Sequence, residues 1–246
     1  MSTPATTPTV VLVPGHWLGA WAWDDVVAHL RAAGLATVAL TLPGLDPHDP
    51  DRATRTLDDQ TAAVEDAVRA AVADGHPVVL VAHSGANAPV SLLLDRHPDL
   101  VTHVVWVDSG PVAPGTVFAP GAPADLVELP LPDLDALGAQ GSLDGLDDDA
   151  LARFRDRAVP EPGPVLTQTV ELTDPRRLAV PTTLVCCSIP GAQVRELADA
   201  GHPMFAEVAG LRHVDVVDLP TGHWPMWSRP ADLADVVAAV ARRAAG

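Results

Sequence analysis

Ala82-His83-Ser84-Gly85-Ala86 sets one serine between small residues, with alanine two positions away on each side. A serine hydroxyl attacks a carbonyl only when a sharp turn projects it and a base takes its proton. Residues two positions away must be small, because larger side chains collide inside such a turn. Alanine stands here where glycine is commoner. The apolar run Pro77 to Ala82 before the serine reads as a strand buried on both faces. The segment after it reads as a helix start, whose positive pole points at the hydroxyl. The bland alternative is a serine that only caps that helix.

The chain has ten histidines. His223 has the best address for a general base. It follows the last strand in Leu219-Pro220-Thr221-Gly222-His223-Trp224, where Gly222 lets the loop bend toward the serine's edge of the sheet. His83, although next to the serine, should point elsewhere. His29, His76, His97, His103 and His213 sit on helix faces or at strand starts, where solvated or structural roles fit, and His202 has no assignable place. Oxyanion donors should be backbone N–H groups. One is expected from Gly85. The other is expected from His16, in the turn Pro14-Gly15-His16-Trp17 after the first strand, which should face the elbow across the switch point of the sheet. The His16 imidazole fits a substrate contact and a packing role equally.

The acid that orients the base has several candidates. The loop after the fifth strand, Ser188 to Gln193, contains no carboxylate, and Glu196 and Asp199 beyond it fall on a helix. Asp108, in Val107-Asp108-Ser109-Gly110, stands at the tip of the fourth strand beside the serine strand. Asp108 is preferred to Glu196, with Asp218 third. Against this stands a plain turn cap made by Asp108 through Ser109 and Gly110. Among the tryptophans, Trp21, Trp23 and Trp106 suit the core, whereas Trp17 and Trp224 are expected to line the cleft.

These residues need a frame. Short β-branched runs alternate with amphipathic segments. Strands are expected over Thr9–Val13, Ala36–Leu40, Pro77–Ala82, Val101–Val107, Thr182–Cys187 and Val214–Val217. Helices are expected from about Trp21 to Gly34, with Trp23, Val26, Val27 and Leu30 inward, and over Thr56–Ala73, with Leu57, Val64, Val68 and Val72 inward. A third follows the serine, carries Val90, Leu93 and Leu94 on one face, and stops at His97-Pro98. A last helix spans about Ala231–Ala244. This order predicts βαβ units: a doubly wound, mostly parallel α/β sheet of about six strands. Residues 1–246 read as a single domain. Residues 111–180, rich in proline, glycine and aspartate, read as a cap or lid inserted after the fourth strand, with only Asp147–Ala158 firmly helical.

Composition narrows the function classes. With 48% hydrophobic residues the 246-residue chain can bury a sizeable core. The net charge of −17, with arginine as every one of the 15 basic residues, argues against nucleic acid and acidic membrane surfaces as partners. No run approaches a bilayer span, and Met1 to Pro8 lacks the basic and apolar regions of a secretory leader, so a cytoplasmic location is expected. Cys186 and Cys187 are neighbours that suit buried strand positions better than a disulfide or metal site. No metal or organic cofactor is implied. The expected partner is a small-molecule substrate, with oligomeric state left open.

Elbow, glycine turn and terminal histidine, in this order, resemble the α/β-hydrolase fold superfamily. The segment Pro14-Gly15-His16-Trp17-Leu18-Gly19-Ala20-Trp21-Ala22-Trp23 is similar to the branch holding plant methyl-ester esterases and hydroxynitrile lyases, which has His-Gly at Pro14-Gly15. The resemblance implies a serine hydrolase acting on a small carboxylic ester or lactone, with Ser84, His223 and Asp108 as triad. Some members place the acid one strand early, where Asp108 stands. Hydroxynitrile lyases of that branch employ a lysine that this chain lacks, and haloalkane dehalogenases carry aspartate where Ser84 stands. Perhydrolysis or carbon–carbon cleavage on the same residues, and a non-catalytic small-ligand-binding module, are the alternatives.

Overall fold

Strands made of unbroken valine and leucine must be covered on both faces, and the order of the elements supplies the cover. The computed structural model describes residues 7–123 and 125–245, so most of the Met1-to-Pro8 segment lies outside the described residues. The elements run β1 (Thr9–Val13), α1 (Asp24–Ala32), β2 (Ala36–Ala39), α2 (Leu57–Ala73), β3 (Val78–His83), α3 (Asn87–Arg96) and β4 (His103–Val107). Next come β5 (Glu128–Leu129), α4 (Leu134–Gln140), α5 (Asp148–Arg157), β6 (Glu161–Pro162) and α6 (Gly163–Thr167). The chain then returns through β7 (Thr182–Cys186), α7 (Gly191–Asp199), β8 (Val214–Asp218), α8 (Pro225–Ser228) and α9 (Pro230–Ala244).

The main sheet has six strands in the order β2-β1-β3-β4-β7-β8, every pair parallel. This is the doubly wound arrangement predicted from the sequence. Central β1, β3 and β7 are buried along their length, and edge strands β2 and β8 are partly exposed. Alternation along each strand splits the core in two. Val10, Leu12, Val79, Val81, Val105 and Val107 meet α1 and α9 through Val26, Leu30, Leu233 and Val237. Val11, Val13, Val78, Leu80 and Ala82 face the other way, onto Val64, Val68, Val90 and Leu93 of α2 and α3. Among the described residues no helix is long and apolar enough to cross a membrane.

Local signals set the helix starts. Thr56 and Asp59 close a capping box on α2, and Asp147 accepts from the Ala150 N–H at 2.8 Å to start α5. Val72 departs from the reading above. It is 38% exposed, and Ala71, at 7%, faces inward instead. Successive steps of four residues turn 400°, so a Val64–Val68–Val72 row drifts about 40° per step off the buried face.

The insertion after β4 forms a cap with more structure than expected. Besides α5, which was foreseen, it contains α4, α6 and the two-residue antiparallel ladder of β5 with β6. Its Leu137 and Phe154 are fully buried in the same cluster as Trp17 and Trp224. Val159 N–H donates to the Trp17 carbonyl at 3.0 Å. The cap is thus packed onto the body at the edge where the strands end.

Candidate active site

Strand register assembles the site. Val13 pairs with Ala82, and His83 with Val107. The residues that follow β1, β3 and β4 therefore emerge side by side: Pro14-Gly15-His16, Ser84 and Asp108. Among the described residues three non-glycine residues have left-handed backbone, Trp17 (φ 65°), Ser84 (φ 49°) and Asp108 (φ 44°). All three lie at this edge. Each conformation costs about 1–2 kcal/mol for an L-residue, a strain that concentrates where function needs a fixed geometry. The Ser109 hydroxyl donates to the Ser84 carbonyl at 3.1 Å and holds the bend. A Cβ on Gly15 would come within 2.8 Å of Ser84 Cβ, so the β1 turn touches the elbow and has no room for a side chain.

His223 Nε2 lies 2.8 Å from Ser84 Oγ, and His223 Nδ1 lies 2.7 Å from Asp108 Oδ2. Asp108 is otherwise saturated. Its Oδ1 accepts the Cys187 and Ser188 N–H groups at 3.0 and 2.9 Å, and its Oδ2 accepts the Ser188 hydroxyl at 2.6 Å. Burial would push this carboxyl up. The hydrogen bond and charge of His223, with the Ser188 donors, outweigh burial and hold it below the usual carboxylate range. Glu196 is exposed on α7, away from the imidazole. Asp218 accepts from the Gly191 N–H at 2.6 Å, at the start of that helix. The turn-cap reading of Asp108 does not describe these contacts, which run to the loop after β7.

The His223 loop is clamped by groups the sequence did not flag. His223 N–H donates to the Ser142 carbonyl at 2.7 Å and Gly222 N–H to Asp144 at 3.0 Å, both from the cap. Among the described residues His83 makes no hydrogen bond to the Ser84 hydroxyl, yet it supports the site. It is buried beneath the loop, and its Nε2 lies 2.7 Å from the His223 carbonyl. A carbonyl only accepts, so His83 donates from Nε2. Burial, reinforced by the nearby His223, pushes the His83 pKa down to about 3, so it stays neutral at working pH.

His83 has a measurable consequence. In the unfolded chain it titrates near 6.5. Between that value and about 3 the unfolded chain holds a proton that the folded chain does not. Its contribution is constant above the unfolded pKa, and stability falls as pH drops through this window, by up to about 1.4 kcal/mol per pH unit. His83→Gln keeps an N–H for the carbonyl and removes the titration. Guanidinium unfolding from pH 6 to 4 should therefore show a shallower acid dependence in the variant; an identical slope would mean that folded His83 takes up the proton.

Trp17 and Trp224, expected at the cleft wall, are core residues instead, 7% and 3% exposed. Trp17 Nε1 donates to the Leu129 carbonyl at 3.0 Å, and Trp224 packs edge-on against both Phe154 and the His223 imidazole. They back the site because the cap supplies partners that cover them. The cavity beside the elbow, about 70 Å³, is lined by His16, Gly85, Leu57, Val112, Phe118 and Val165. That is roughly five times the space one water needs. The His16 ring lies against Gly85, where a Cβ would come within 2.3 Å of it. Gly85→Ala must displace the imidazole or the elbow, and a loss of activity of about tenfold or more is expected from such a shift, read as kcat/KM.

Cys186 and Cys187 are buried and free, and burial pushes both thiols up, Cys186 to about 11. Both are then thiols at neutral pH and poor nucleophiles. Among the described residues no group of three or more His, Cys, Asp and Glu side chains has a metal-holding arrangement.

Comparison with known proteins gives the chain several relatives. The model of the alpha/beta hydrolase family matches residues 10–236. An esterase of rice (Oryza sativa subsp. japonica) is 41% identical over 99 residues, 39% of this chain and 37% of that protein, so the match spans little more than a third of the rice relative. A pyrethroid hydrolase of Sphingobium wenxiniae is 28% identical over 250 residues, covering 95% of this chain and 87% of that one. The crystal structure of an Arabidopsis methylesterase superposes with a TM-score of 0.72 at 18% identity, covering 96% of this chain and 99% of that one.

Proposed function

The chain belongs to the alpha/beta hydrolase family, and on that premise we propose that it hydrolyses small carboxylic esters, lactones included, through an acyl-enzyme on Ser84. The observation that carries this reading is the hydrogen-bonded chain from Ser84 Oγ to His223 Nε2 and from His223 Nδ1 to Asp108. The names of the rice and Sphingobium relatives, an esterase and a pyrethroid hydrolase, support the ester class.

His223 takes the Ser84 proton as Oγ attacks the ester carbonyl, and a tetrahedral oxyanion forms. Asp108 holds the imidazole with Nδ1–H toward itself and stabilises the imidazolium. Gly85 and His16 offer backbone N–H groups to the oxyanion. Two neighbouring amides are committed: Trp17 N–H donates to Glu161 at 3.2 Å and Leu18 N–H to the Gly15 carbonyl at 3.3 Å. His223 then gives its proton to the departing alcohol. Water, deprotonated by the same imidazole, attacks the acyl-enzyme; the acid leaves and Ser84 recovers its proton.

Turnover of p-nitrophenyl acetate and butyrate tests this directly. The expected result is steady hydrolysis with covalent labelling of Ser84, one equivalent per chain, by a fluorophosphonate. A chain that binds these esters without turning them over, and takes no label, would be a binding module and would end the proposal.

A further inference from the structure

Two histidine–carboxylate pairs, not one, meet at the elbow. His16 Nδ1 lies 3.1 Å from Glu161 Oε2, with the side chains 9% and 1% exposed. Glu161 comes from β6 in the cap and also accepts the Trp17 N–H and Gln60 Nε2, the latter at 3.0 Å. A carboxylate this deeply buried is tolerable only when paired and hydrogen-bonded, and these three groups meet that need. None of them calls on the other end of the imidazole. His16 Nε2 is buried with no partner among the described residues.

The His16 side chain borders the cavity beside the elbow. The ring rests on Gly85 and meets the Phe118 ring edge-on at 4.1 Å; the other walls are mostly apolar, with Asn87, Thr116 and Gln168 as the polar side chains among them. An unsatisfied polar atom in such a place asks for a partner that arrives from outside. With Nδ1 directed at the carboxylate, Nε2 accepts a hydrogen bond when the ring is neutral and donates one when it is charged. A hydroxyl serves both states, since it donates and accepts. A carboxylate substituent would face Glu161 at close range. Because the ring sits on the residue next to the nucleophile, the oxygen it reaches belongs on the carbon next to the ester carbonyl.

We propose that His16, held by Glu161, is a specificity-determining residue whose Nε2 hydrogen-bonds a hydroxyl on the acyl group, so that the preferred substrates are 2-hydroxy esters with a short apolar chain. This rests on the ester reading above and names the substrate class for the same site. A site built around a hydrogen bond penalises the analogue that lacks the group, because its own polar atom is then left bare.

The test compares kcat/KM for ethyl 2-hydroxybutanoate and ethyl butanoate, each divided by its hydroxide-catalysed rate to remove intrinsic reactivity. The wild-type chain should favour the hydroxy ester by about tenfold or more. His16→Phe should bring the ratio close to one, and His16→Gln, which keeps a polar group, should retain part of the preference. Glu161→Gln, nearly isosteric, should also lower it and serves where the phenylalanine variant does not fold. No normalised preference in the wild type, or a preference that survives His16→Phe and Glu161→Gln, overturns the inference. Failure to turn over any ester, p-nitrophenyl acetate included, would overturn the ester reading itself.

Discussion

Ser84→Ala should reduce kcat on p-nitrophenyl butyrate by about 10⁴-fold or more while leaving the protein folded. Two features set the size of the effect. In the proposed mechanism the serine is the group that becomes acylated, so its loss removes the covalent route, and what survives is the rate that oxyanion donors and binding alone support. Among the described residues the hydroxyl in contact with His223 Nε2 is that of Ser84; the Ser188 hydroxyl is held on Asp108 Oδ2. Stability should shift by only about 1 kcal/mol, because alanine keeps the elbow's volume and loses one hydrogen bond, the 2.8 Å contact to His223. The strain at φ 49° remains in the alanine variant, whereas Ser84→Gly should relieve it and raise the melting temperature slightly, since glycine enters that region freely. The pair separates chemistry from folding. Equal loss of activity with opposite small shifts in melting temperature is the expected pattern; an alanine variant that keeps a tenth of the activity would mean that another group attacks the carbonyl.

The partners of Ser84 were legible to different degrees, for physical reasons. Strand ends are written in the sequence. Pro14-Gly15, Ser84-Gly85 and Asp108-Ser109 each break an apolar run, and parallel register brings three such breaks level. A carboxylate at one break and a serine at its neighbour could therefore be paired before any coordinates. Contacts from the cap were not legible. Glu161 stands 145 positions after His16, in a two-residue strand without periodicity, and nothing local ties it to the oxyanion turn. The short α6 and the glycine-bearing α4 carry too few residues to display a 3.6 period. The tryptophans failed for a related reason. Aromatic residues near a site line it or lie beneath it according to what covers them, and Phe154, which packs on Trp224, comes from the cap. Strand alternation turns His83 off the hydroxyl's side, as expected, and that same alternation puts it under the His223 loop, a contact no local pattern shows.

Asp108→Asn should cost nearly as much as losing the serine, about 10⁴-fold in kcat, and the structure dictates why a near-isosteric change does so much. An asparagine side chain has one oxygen and one NH₂. The backbone N–H groups of Cys187 and Ser188 both point at Oδ1, so the oxygen must go there; the reverse placement would set NH₂ against two donors. The NH₂ then occupies the Oδ2 position, 2.7 Å from His223 Nδ1. It donates, so Nδ1 must accept, and the proton moves to Nε2, which faces Ser84 Oγ. An imidazole in that tautomer cannot take the serine's proton, and no carboxylate balances the imidazolium if it forms. Glu196→Gln, on the exposed face of α7, should leave kcat within about twofold, since it touches neither nucleophile nor base. The carboxylate also predicts a pH signature. Its pKa lies below the ordinary value, so the stability it adds is fully present above the unfolded pKa of about 3.9 and is lost as pH falls through the lower folded value. Above pH 5, Asp108 should thus contribute no titration to the kcat/KM profile. If Asp108→Asn stays active while Glu196→Gln does not, the orienting acid comes from α7 and the hydrogen bonds of Asp108 serve only to tie β4 to the loop after β7.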